Sequence, residues 1–208
     1  MKKTKSITSL FIDIGGVLLT NGWDRHAREK AAEHFGLDLA ELNSRHQQIF
    51  DTYEVGKTSL KEYLERVVFH KKQKFTLEEF RSLMFAQSKP YPEMIQLICD
   101  LKAKYQLKIA VVSNEGRELN EHRIKKFKLE RFVDFFISSS FVHLRKPDKD
   151  IYRLALDVSL VPISQVLYIE DRPMFVQVAE DLGIKSICHC SYETTVQQLK
   201  RFGLHTSL

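Results

Sequence analysis

The chain has 208 residues, 43% hydrophobic and 28% charged, enough to build one domain, or a domain with an insert, around its own core without disulfides or a structural metal. Those proportions exclude a disordered, collagen-like or membrane-spanning chain. Thirty-two Lys and Arg against 27 Asp and Glu leave a net charge of +5, compatible with anionic partners but naming none.

Lys2, Lys3 and Lys5 precede an apolar run, as in a secretory leader, but Asp13 interrupts that run and no small-residue cleavage site follows. The expectation is a soluble, cytoplasmic protein with no membrane association. The run SITSLFIDIGGVLL reads as a buried strand stopping at Asp13 in a glycine turn. From about Asp24 to Ala86 the chain is polar and reads as several amphipathic helices. Gly36, Asp38 and Gly56–Lys57 divide them, with Thr58 or Ser59 as an N-cap. After KPYP at 89–92, Met94, Leu97, Ile98 and Leu101 take helical spacing, and LKIAVVS reads as a strand. A helix near 117–128, the strand FVDFFIS, and a helix with Ile151, Leu154, Ala155 and Val158 on one face come next. The strand QVLYI, a helix carrying Val176, Ala179 and Leu182, the strand IKSIC and a last helix complete the pattern.

Strands alternating with helices predict an α/β fold with a parallel sheet covered on both faces. The helical stretch after the first strand has no counterpart later, so it reads as an insert. Cys99, Cys188 and Cys190 are odd in number and match no disulfide or zinc spacing. Neighbouring side chains of a strand point to opposite faces, which argues against a metal site at Cys188-His189-Cys190. The expectation is reduced thiols. The basic runs at 70–74 and 122–131 lack interleaved aromatics and read as solvated surface, so no nucleic-acid partner is expected.

Ligands of open α/β sheets bind beyond the carboxyl ends of the strands. There the sequence places Asp13, Ser113-Asn114 and Glu170-Asp171, with Lys146 in the loop after the third strand. Singly these are a turn cap or a surface lysine. Together they suit phosphoryl chemistry: a carboxylate nucleophile, a second acid to hold Mg²⁺, and a hydroxyl and an ammonium for the phosphoryl oxygens.

This arrangement resembles the haloacid dehalogenase superfamily of hydrolases. IDIGGVL is similar to its first motif, VVSN to its second, the lysine of KPD to its third and YIEDRP to its fourth, in order along nearly the whole chain. The resemblance implies a Rossmann-like core domain from 1–19 and 89–208, interrupted by a small all-helical cap at 20–88. It implies Asp13 as nucleophile and metal ligand, and Ser113 and Lys146 as phosphate grips with Asn114 nearby. Asp171 is implied as the second acidic ligand and the Gly15 main-chain carbonyl as another, around a Mg²⁺ cofactor. Glu170 then either orients a ligand water or neighbour or is structural.

Two positions depart from the family pattern. Gly15 stands where family phosphatases carry an Asp as general acid and base, a contribution worth about 10²–10⁴-fold. Asp24 or His26 could supply the proton instead, although Asp24 also suits the N-cap of the first inserted helix. Trp23 beside it either lines the pocket or packs insert against core. Phe175 replaces an Asn or Asp whose loss would weaken Mg²⁺ binding. The resulting expectation is a Mg²⁺-dependent phosphatase of a small phosphorylated metabolite. The alternatives are a metal-independent 2-haloacid dehalogenase, compatible with Gly15, and a weakly active or non-catalytic binding module. Neither oligomeric state nor substrate is legible.

Overall fold

The computed structural model describes residues 6–206, so Lys2, Lys3 and Lys5 lie outside the described residues. Five parallel strands, β1 (Ser9–Ile12), β2 (Lys108–Ser113), β3 (Phe135–Ser138), β4 (Val166–Glu170) and β5 (Lys185–Cys188), form one sheet in the order β3-β2-β1-β4-β5. The central strand β1 is buried at all four residues, which is why it reads as a continuous apolar run rather than an alternation. Its side chains still alternate between faces. Leu10 and Ile12 join one cluster, with Met94, Leu97, Ile98 and Leu101 of α5 (Pro92–Tyr105) and Leu199 of α10 (Tyr192–Arg201). Phe11 joins the opposite cluster, with Ile151, Tyr152 and Ala155 of α8 (Lys149–Ser159) and Ala179 of α9 (Pro173–Asp181). Helices thus cover both faces, giving the predicted α/β architecture.

Between β1 and α5 lie α1 (Arg25–Phe35), α2 (Leu39–Glu54), α3 (Leu60–Val67) and α4 (Leu77–Ala86). Asp38 caps α2 and Ser59 caps α3 in a reciprocal capping box with Glu62, as S-x-x-E before an apolar run leads one to expect. This block has its own core of Trp23, Ala31, Leu42, Tyr53, Tyr63, Phe80 and Met84, which also takes in Leu119 of α6 (Arg117–Lys126), the helix before the one-turn α7 (Ser139–Val142). The chain enters and leaves the block side by side: Thr20 N donates to Lys89 O at 2.8 Å and Tyr91 N to Leu18 O at 2.9 Å.

Two expectations need correction. The buried ridge of α8 is Ile151–Ala155–Ser159, at four-residue spacing, and Val158 is exposed. Arg123, inside the run read as solvated surface, is almost wholly buried. Its guanidinium pairs with Glu115 and donates to Thr20 O at 2.6 Å. A buried charge of this kind persists only when paired and hydrogen-bonded.

Candidate active site

Asp13 directly follows β1, and its N–H extends the ladder to Ile169 O at 3.0 Å. The chain then folds back sharply, with Leu18 and Leu19 both donating to Ile14 O. Gly16 takes a φ of +72°, and a Cβ there would fall on the Asp171 carboxylate. Glycine is therefore required twice over, by conformation and by space. The turn after β1 and the loop after β4 are thereby pressed together.

Four sequence-predicted groups converge here. Lys146 is 1% exposed, and its Nζ lies 3.1 Å from Asp13 Oδ1 and 2.6 Å from Glu170 Oε2. The Ser113 side chain is buried beside the Asp13 carboxylate and favours its ionised form. Asn114 holds the Lys146 main chain from both sides, accepting from its N–H at 2.8 Å and donating to its carbonyl at 2.9 Å. Burial raises the pKa of Asp13, against the attraction of Lys146, and the negative charge of Glu170 raises it further. For Lys146, burial pulls the pKa down, but Asp13 and Glu170 outweigh it and the ammonium is held well above its ordinary value.

Carboxylate oxygens of Asp13, Glu170 and Asp171 lie within 4.8 Å of one another. Glu170 is occupied: Oε2 accepts from Lys146 and from the Tyr168 hydroxyl, and Oε1 accepts from Arg172 N at 3.1 Å. Asp171 Oδ1 is buried without a hydrogen-bond partner among the described residues. Asp13 Oδ1, though close to Lys146, makes no aligned hydrogen bond. Three carboxylates against one ammonium leave two negative charges uncompensated. An oxygen-rich site with orphaned carboxylate atoms and that surplus fits a small divalent cation such as Mg²⁺.

Asp13 and Lys146 open into a cavity of about 260 Å³ whose far wall is the helical block, with Trp23, Asp24, Arg28, His46 and Glu54. Gly15 and Asn114 also line it. A larger cavity of about 620 Å³ lies beside Asp171, Tyr91 and His189 and meets the first at Asn21. The smaller one holds the nucleophile candidate, so chemistry rather than volume identifies the site. The Asp24 carboxylate caps α1, accepting from Ala27 N at 2.8 Å, while His26 is exposed and pairs with Glu29. Trp23 lines the cavity, and its indole is tied within the helical block itself, donating to the Tyr63 hydroxyl at 2.8 Å. The Phe175 ring lies 5.0 Å from Lys146 Nζ, a cation–π contact in place of the polar group expected there.

Sequence reasoning missed Tyr168, Glu54, His46 and Arg145. Tyr168 could have been found, since it precedes Glu170 by two residues on β4 and so shares its face. The other three come together through the docking of α2 on the loop before Lys146. No local signal marks them. Cys99, Cys188 and Cys190 are free, and among the described residues the acidic trio is the one metal-competent cluster.

This sheet order and the helices inserted after β1, with Asp13, Ser113, Lys146 and Asp171 brought together at the strand ends, are the arrangement expected of a haloacid dehalogenase-like fold. The family model for haloacid dehalogenase-like hydrolases matches residues 20–189, and the chain belongs to that family. A phosphorylated carbohydrates phosphatase of Thermotoga maritima is 26% identical over 182 residues, 86% of this chain and 83% of that one. Among solved structures, a magnesium complex of the HAD family enzyme BT-2542 from Bacteroides thetaiotaomicron superposes with a TM-score of 0.80 at 19% identity, covering 94% of this chain and all of that one. The L-2-haloacid dehalogenase of Xanthobacter autotrophicus, with chloropropionic acid covalently bound, superposes at 0.61 and 16% identity, covering 96% of this chain and 85% of that one. These likenesses to solved structures establish the fold.

Proposed function

We propose that this hydrolase is a Mg²⁺-dependent phosphatase of a small phosphorylated metabolite and works through an aspartyl-phosphate on Asp13. The observation that carries this reading is the uncompensated acidic cluster, with its orphaned Asp171 oxygen, beside the Asp13–Lys146 pair. Asp13, Asp171 and the Gly15 carbonyl would hold Mg²⁺, which supplies charge neutralisation between carboxylate and phosphate. Asp13 attacks phosphorus, the bond to the leaving oxygen breaks, and water then cleaves the aspartyl-phosphate to regenerate the carboxylate. Lys146 and Ser113 bind the phosphoryl oxygens where charge builds in the transition state. Glu170 and Tyr168 hold the ammonium of Lys146 in place, and Asn114 holds its main chain. Residues 20–88 act as a cap over the 1–19 and 89–208 core, with Trp23 and Asp24 in the wall facing the substrate. The relationship to a phosphatase of phosphorylated carbohydrates supports a sugar phosphate or a similar metabolite.

A 2-haloacid dehalogenase is the second reading, favoured by Gly15, since that reaction does not need the second Asp. It uses no cation, however, and three crowded carboxylates would then oppose ionisation of the nucleophile. Phosphate release from an aryl phosphate and a metabolite phosphate panel, with Mg²⁺ and with EDTA, separates these readings. Metal-dependent turnover that falls to background in Asp13→Asn is expected. Halide release from a 2-haloacid in EDTA, or no hydrolysis of any phosphate, would overturn the proposal.

A further inference from the structure

The phosphatase reading leaves the leaving oxygen without a proton donor, because Gly15 has no side chain. The space beside it is taken: a Cβ at position 15 would stand 3.0 Å from Asn21 Oδ1, and an amide neither gives nor takes a proton near neutrality. Four titratable groups besides Asp13 and Lys146 could serve from the same cavity, namely Asp24, His46, Glu54 and Glu115. Asp24 is committed to capping α1. Glu115 is locked in the buried pair with Arg123. His46 is buried with Nδ1 2.7 Å from the Tyr63 hydroxyl, and burial pushes its pKa to about 3, so at pH 7 it is a neutral imidazole and not an imidazolium acid.

Glu54 remains. It ends α2, where the helical block docks on the core: Ser139 Oγ donates to Glu54 O at 2.6 Å and His143 Nδ1 lies 2.7 Å from Val55 O. Its Oε2 is 3.4 Å from Asn114 Nδ2, the same amide group that donates to the Lys146 carbonyl. Arg145 Nε lies 2.8 Å from that oxygen, an ion pair without an aligned hydrogen bond, and Glu54 Oε1 has no partner among the described residues. We infer that Glu54, delivered into the cavity by the helical block, is the general acid and base that replaces the missing side chain at Gly15. This rests on the phosphatase reading. In the first step the Asp13 Oδ–phosphorus bond forms, the bond to the leaving oxygen breaks, and the Glu54 proton passes to that oxygen to release the alcohol. In the second, Glu54 takes a proton from water as the water oxygen bonds to phosphorus and the Asp13 Oδ–phosphorus bond breaks, releasing phosphate and restoring both groups.

The electrostatics of the site agree. Burial pushes Glu54 up to about 7, against Arg145 and Arg172, with Glu115 and Asp51 adding to the rise. Both protonation states are then populated near neutrality, as a group serving both steps requires.

The test compares wild type, Glu54→Gln, Glu54→Asp and Arg145→Gln on an alkyl phosphate and on p-nitrophenyl phosphate, with Mg²⁺. In Glu54→Gln, alkyl phosphate turnover should fall about 10²–10⁴-fold. Nitrophenol should still appear as a fast first-turnover burst, since that leaving group needs no proton, followed by slow turnover and phosphorylated enzyme visible by intact mass. Glu54→Asp should recover part of the loss. The limb of the wild-type pH profile near 7 should vanish in Glu54→Gln and move to higher pH in Arg145→Gln, which removes a cation facing the carboxyl. A purely structural Glu54 would lower both substrates' first turnover alike and leave the limb in place in Arg145→Gln. Either that pattern or wild-type rates in Glu54→Gln would overturn the inference while leaving the phosphatase intact. A wild type inert on every phosphate would overturn the phosphatase reading, and the role of Glu54 with it.

Discussion

Asp171 and Gly16 define each other at the heart of the site. The carboxylate packs over a residue that has no side chain and a φ of +72°, so any Cβ at Gly16 would displace the carboxylate proposed as a metal ligand. Gly16→Ala should therefore lower Mg²⁺ affinity at least tenfold and add about 1–2 kcal/mol of left-handed backbone strain. Titration calorimetry and melting curves check the two parts, and unchanged affinity would show that Asp171 does not bind the metal. Asp13, Ser113 and Asp171 could be singled out because each stands where an apolar run stops, whereas Lys146, in the loop after β3, was marked by its KPD motif. The order in which these groups touch was not legible. Glu170, read as orienting a neighbour or as structural, has its oxygens occupied by Lys146, Tyr168 and the Arg172 N–H. Phe175, read as a loss, presents its ring to Lys146.

Between elements, the helical block is pinned by a hydrogen-bond chain that no single segment announces. Trp23 Nε1, just before α1, donates to the Tyr63 hydroxyl on α3, which lies 2.7 Å from His46 Nδ1 on α2. With Tyr63 accepting from Trp23, its proton is free to go to His46, which requires a neutral imidazole with an acceptor Nδ1. The folded pKa of about 3 stands below the ordinary 6.5. Between those values the unfolded chain binds a proton that the folded one does not. The stability held above pH 6.5 is therefore lost as pH falls through this window, by up to about 1.4 kcal/mol per pH unit. Denaturant melts of wild type and His46→Asn between pH 7 and 4 should show a steeper loss in wild type, and parallel curves would remove His46 from the account. Helix spacing and caps such as Ser59 with Glu62 were written locally. The angle at which α2 meets the core was not, because it depends on pairs such as Glu54 with Arg145, ninety-one residues apart in the chain.

At the scale of the whole molecule, a net charge of +5 conceals an acidic focus. The sheet brings the ends of β1 and β4 together, and with them Asp13, Glu170 and Asp171 around one buried ammonium. A cation that met this focus in the folded chain alone would stabilise the fold by linkage. Mg²⁺ at a hundred times its dissociation constant should stabilise the folded state by about 2.7 kcal/mol, a rise of roughly 5–10 °C in Tm for a chain of this size. EDTA should reverse it. Asp171→Asn removes the carboxylate charge and replaces one of its oxygens with an NH2 that cannot ligate a cation, so its effects should run in opposite directions. The variant should melt at or above the wild-type temperature without metal and no longer respond to Mg²⁺. Differential scanning calorimetry on both proteins, with and without Mg²⁺, reads this directly. A wild-type Tm indifferent to Mg²⁺, or an Asp171→Asn variant that still responds, would mean the acidic cluster answers to something other than a divalent cation.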